Sequence, residues 1–156
     1  MANVTTYLQQ GVQPAVGASR HYVMESEIDV TGAVSDDVYY ALTVPAGHLV
    51  RNIVTEVVTK SGAADTCGVG IYSNKTGSAV DDDGFGGPTA ISLNATVGTL
   101  TIGVGGTDTY VTIGGYLNLT PAITYIGLEM VAAGSTIAAG KLKVRALCVD
   151  CTSALP

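Results

Sequence analysis

Apolar and polar positions alternate with a period of two along much of the chain, the spacing that sends successive side chains to opposite faces of a β-strand. Over 141–149, Leu142, Val144, Ala146 and Cys148 oppose Lys141, Lys143 and Arg145, which predicts a strand with one wet face. Val38, Tyr40, Leu42 and Val44 share a face of 37–44, and Ile126, Leu128 and Met130 share a face of 122–131. Between them, Leu100, Ile102 and Val104 alternate with Thr99, Thr101 and Gly103. Segment 48–60 fits two periods, because Val50, Ile53, Val54, Val57 and Val58 also trace a helical stripe. Its β-branched residues lose χ1 freedom in a helix, so a long strand with room for a bulge is expected there.

Turn signals punctuate these runs at Pro45–Gly47, Lys60–Gly62, Asn74–Gly77, Asp83–Pro88, Gly105–Gly106, Gly114–Gly115 and Ala133–Gly134. Short strands separated by turns predict an all-β fold: a two-sheet antiparallel β-sandwich, jelly-roll-like, with eight or nine strands. The sandwich is expected over 21–151, followed by a short tail over 152–156. Residues 1–20 break the period, yet Val4, Tyr7, Leu8, Val12 and Val16 recur among Gln9, Gln10, Gln13, Pro14 and the glycines. They predict an extended N-terminal arm that either packs on its own domain or lies on a neighbouring subunit.

Composition agrees, with 20 Gly, 19 Thr and 20 Val in 156 residues, residue types of strands and turns rather than helices. Thirteen acidic against seven basic residues leave a charge of −6, which repels phosphate backbones and argues against a nucleic-acid partner. No apolar run approaches the ~20 residues that cross a bilayer, so no membrane partner is expected. Met1–Thr6 lacks a basic start before an apolar core, and the expectation is a soluble protein made in a cytoplasm. Charged residues are only 13% of the chain and the mean hydropathy is +0.38, so Thr, Val, Ala and Gly must form much of the surface. A homo-oligomer, with a trimer favoured, or a protein lattice would cover such a surface.

Candidate chemistry is sparse. His21 and His48 sit beside no nucleophile or metal motif, and Gly68–Gly70, Gly84–Gly87 and Gly103–Gly106 lack the strand and helix context of a phosphate loop. Asp81, Asp82 and Asp83 could offer oxygen ligands to Ca²⁺, but the reading preferred for them is a solvated loop tip. Phe85 lies in the same glycine-rich segment and either packs back on the sheet or touches a partner. Cys148 and Cys151 have C-x-x-C spacing without a redox fold around them, and Cys67 plus a histidine would be needed to complete a zinc set. Asn3, Asn74, Asn94 and Asn118 begin N-x-S/T sequons, which a Thr-rich chain yields by chance. No catalytic residue, cofactor or metal is therefore expected. The candidate partner interface is Val4, Tyr7, Leu8, Val12, Val16 and Phe85.

Three stretches, Ala41–Ile53, Gly115–Leu128 and Ala138–Ala146, are similar to segments of tailed-bacteriophage virion proteins, decoration or cement proteins among them. The resemblance covers about a third of the chain. It implies a protein without an active site that decorates and stabilises a phage capsid from outside by bridging neighbouring major capsid proteins. The alternative is a receptor- or carbohydrate-binding sandwich of a phage fibre or spike, with its site near 81–88.

Overall fold

A computed structural model describes residues 6–9, 20–102, 110 and 113–152. Ten strands run through them: β1 (Thr6–Gln9), β2 (Arg20–Asp29), β3 (Val38–Val44), β4 (His48–Thr59), β5 (Thr66–Tyr72), β6 (Ala79–Ser92), β7 (Leu100–Ile102), β8 (Tyr116–Leu117), β9 (Thr124–Val131) and β10 (Lys141–Asp150). One sheet has the order β1-β2-β10-β4-β7 with β8 also paired to β4, the other the order β3-β9-β5-β6, and the pairings are antiparallel. Without β1 and β8, eight strands form two four-stranded sheets whose first strand lies beside the last. This is the jelly roll, two Greek keys folded face to face. Met24, Ile28, Leu42, Ile53, Ile126, Leu128 and Met130 fill the space between the sheets.

β10 follows the sequence pattern: Leu142, Val144, Ala146 and Cys148 are buried while Lys143 and Arg145 stay half-exposed on the other face. β4 is the expected long strand, and its pairing with β10 shows why it mimics a helix. Leu147 pairs with Asn52 but Cys148 with Val50, so Arg51 is an extra residue, and a second shift leaves Val58 over. The bulge at Arg51 turns the spacing between the buried residues Val50 and Ile53 from two into three.

β3 departs from the expectation. Tyr40 pairs with Gly127 and Leu42 with Ile126, so Ala41 is bulged and Tyr40 and Leu42 point to opposite faces. Tyr40 packs outside the core, edge-on to Tyr72 at 5.7 Å and Tyr125 at 5.8 Å. β7 exists, but with its apolar side turned out: Leu100 and Ile102 are 55% and 56% exposed while Thr101 is half-buried.

The expected loop around 81–88 is a strand. Fourteen residues of β6 face the seven of β5, with Tyr72 paired to Ala79, Ile71 to Asp81, Val69 to Gly86 and Cys67 to Ile91, so three register shifts take up the excess. Pro88 is tolerated because it falls between paired positions of an edge strand. Glycine is required where β6 crosses so closely: a Cβ on Gly70 would lie 2.4 Å from the Asp81 and Asp82 backbone.

Part of the arm packs on its own domain: Thr6–Gln9 pairs with Tyr22–Glu25 and extends the first sheet by one strand. Tyr7 and Leu8 belong to this strand, whereas Val4, Val12 and Val16 lie outside the described residues, as do 153–156 of the tail.

Candidate functional site

Phe85 turns inward from the β6 bulge. It is 2% exposed, and its ring lies 5.2 Å from that of Tyr110, which in turn lies 5.0 Å from Tyr116. Of the two expectations for Phe85, the described chain shows it packed back on its own sheet, where burial of an aromatic ring is worth ~1.5 to 3 kcal/mol. Burial, with Asp81 and Tyr116 adding to it, pushes the Tyr110 hydroxyl up to about 12.

The same bulge gathers carboxylates. Ligand oxygens of Asp81, Asp82 and Asp83 lie within 4.8 Å of one another, with Asp81 half-buried and the other two exposed. Asp82 and Asp83 also border a depression of about 180 Å³ shared with Gly68, Pro88 and Glu129. Burial and then the Asp82 charge raise the Glu129 pKa, while the Tyr72 hydroxyl, donating to Glu129 Oε2 at 3.4 Å, acts against that rise. The arrangement concentrates negative charge and offers oxygen ligands.

At one end of the first sheet, the Tyr22 hydroxyl and His48 Nδ1 are hydrogen-bonded, and His48 Nε2 lies 3.7 Å from Asp150 Oδ1. The Thr152 hydroxyl and amide donate to Asp150 at 2.7 and 3.0 Å and hold its carboxyl below the ordinary range. Cys148 is the neighbouring thiol, but burial pushes it up to about 12, so at neutral pH it is not the thiolate that nucleophilic chemistry needs. The constellation ties β2, β4 and β10 together. His21 is exposed on the outer face of β2.

Cys67 is fully buried on the second sheet, with its thiol also pushed up to about 12, and Cys151 lies past the end of β10. Among the described residues only Asp81–Asp83 bring three potential ligands together, so the cysteines and histidines assemble no zinc set there. Asn118 is no glycan acceptor: its side chain is fully buried, with Nδ2 donating to Val44 and Ala122 carbonyls at 2.9 Å.

On the outer face of the first sheet, Glu25, Glu56, Lys143 and Arg145 pair with one another. Arg145 Nε lies 2.6 Å from Glu25 and its Nη1 2.9 Å from Glu56. Exposed aliphatic side chains concentrate elsewhere. Among the described residues, Val97, Leu100, Ile102, Ile113, Leu119 and Ile123 are six of the nine exposed large apolar residues, and all lie between Asp83 and Glu129. Asp108 is the one charged residue in that stretch, a signal available in the sequence but missed by a reading of alternation alone. A further open depression, about 420 Å³, is walled by Asp29, Thr31, Asp37, Val38 and Tyr39.

No family model and no curated protein matches the chain. Solved structures do share its fold. The chain is similar to one in "Acidic stable capsid structure of Helicobacter pylori bacteriophage KHP30", at 15% identity over 94% of this chain and 93% of that one, with a TM-score of 0.54. It is similar to one in "Capsid of Ralstonia phage GP4" at 14% identity over 90% and 89%, with a TM-score of 0.57. A third likeness, in "Cyanophage Pam1 capsid asymmetric unit", has 16% identity over 90% and 92% and a TM-score of 0.57.

Proposed function

We propose that this chain is a structural protein of a phage virion, held on the outside of the capsid, where it bridges neighbouring major capsid proteins and stabilises the shell. The observation that carries the reading is the likeness of fold to chains in three phage capsid structures, each spanning about nine-tenths of both chains. The work needs no chemistry. A protein that binds only the assembled lattice stabilises it by mass action, about 2.7 kcal/mol per site at a hundredfold excess over Kd. The low-charge surface is covered by self-association, with a trimer suiting threefold positions of a shell, and residues 1–20 reach a neighbour beyond their short pairing with β2.

The test is to mix the purified chain with capsids depleted of it and to sediment the particles. Saturable co-sedimentation, with a higher temperature for genome release, is expected; a chain left wholly in the supernatant overturns the reading. One observation favours the alternative of a carbohydrate-binding module: the depression beside Tyr39 combines an aromatic wall with the Asp29 and Asp37 carboxylates and the Thr31 hydroxyl. Binding on a glycan array without attachment to capsids would select it.

A further inference from the structure

We infer that the β7 edge of the first sheet is the surface through which copies of this chain associate. The inference rests on the self-association proposed above and names where it occurs. Among the described residues β7 is the last strand of its sheet, and it turns its threonine in and its leucine and isoleucine out. Its register against β4, with Ile102 opposite Val54 and Leu100 opposite Glu56, places both side chains at the margin of the outer face. Val97, 58% exposed, precedes the turn in which Gly98 N donates to the Val57 carbonyl at 2.8 Å, which leads the chain along the same side of β4.

Further down that side, β8 pairs with Leu49 and Val50, and Leu119 follows it at 73% exposure. Leu119 is held rather than loose. Asn118 Nδ2 bridges the Val44 and Ala122 carbonyls, and Asn118 Oδ1 accepts the Thr120 amide at 3.1 Å. The apolar residues thus follow one edge of a twelve-residue strand, about 40 Å long at ~3.3 Å per residue.

Charge selects the occupant. Each copy carries −6, so two copies repel unless they meet where neither presents charge, since like charges brought together across an interface are costly. The stretch from Gly84 to Leu128, with Asp108 as its single charge, supplies β7 and β8. Between them, β4 adds the exposed Arg51 and a Glu56 whose charge Arg145 offsets at 2.9 Å. Edge strands of monomers are usually blunted by a charged side chain or a proline, and β7 has neither. An edge of this length can also provide the ~800 Å² per partner of a standard interface, which a single exposed leucine cannot.

The experiment compares the full chain with a Leu100→Thr/Ile102→Thr double variant, by light scattering and sedimentation equilibrium at micromolar concentration. Threonine is β-branched, which suits a strand, and removes the apolar contact at both positions. Val80→Thr, at another half-exposed valine on β6, serves as the control. The natural chain is expected to be oligomeric, the control unchanged, and the double variant about a hundredfold weaker in association with its melting temperature retained. A double variant that associates as tightly as the natural chain overturns the β7 edge and leaves self-association standing. A natural chain that is monomeric throughout overturns both. A monomeric natural chain whose double variant loses attachment to capsids also overturns the inference, because the edge then belongs to a capsid contact.

Discussion

Replacing Phe85 by alanine separates a core residue from a surface one by the size of its effect. The ring is 2% exposed and lies against Tyr110 within the main core, so the substitution removes buried apolar area and leaves a cavity that neighbouring bulged strands close only in part. Such truncations cost about 3 to 5 kcal/mol. For a chain of this size each kcal/mol moves the melting temperature by about 2 to 4 °C, so a fall of roughly 6 to 20 °C is expected. Urea titration followed by circular dichroism measures it as a lower midpoint with an unchanged slope. A loss below about 0.5 kcal/mol, the ordinary range for surface substitutions, would refute the inward turn of the β6 bulge. Weaker capsid attachment at full stability would return Phe85 to the partner interface.

Glu129→Gln tests the acidic depression. Because burial and Asp82 raise the Glu129 pKa above its ordinary 4.5 in the folded state, the fold binds this proton more tightly than the unfolded chain. Its contribution is full below that value and is lost as pH rises through the folded pKa, so the variant should melt with the natural chain at pH 4 and above it at pH 7; equal melting at both contradicts the argument. Asp150, held low by Thr152, acts with opposite sign, and Asp150→Asn should lose stability at neutral pH, a loss that fades as pH falls from 3.8 through the lower folded pKa. Iodoacetamide should modify Cys151 before Cys67 or Cys148, since burial keeps the last two protonated, and rapid labelling of Cys67 in the native state would contradict its placement. Deleting residues 2–18 removes the four-residue pairing of β1 and should shift melting by only a few degrees while weakening capsid attachment; outright unfolding would make β1 an integral strand instead.

The sandwich was legible because alternation survives wherever pairing is regular, as in β10. It failed at bulges, which change the period locally: Ala41 sends Tyr40 and Leu42 to opposite faces, and Arg51 gives β4 the spacing of a helix. Alternation also distinguishes the two faces of a strand without saying which is inside. In β7 the usual choice, apolar inward, is the wrong one, and the outward Leu100 and Ile102 stayed hidden for that reason. The Phe85 segment read as a loop because Gly84, Gly86, Gly87 and Pro88 are turn residues, yet the same glycines let β6 cross tightly over β5.

The most direct measurement is a density map of the native virion at side-chain detail. Density for the jelly roll is expected on the outside of the capsid, in contact with at least two major capsid proteins. A virion that lacks this density, or carries it only inside the shell or on a fibre, would contradict the account.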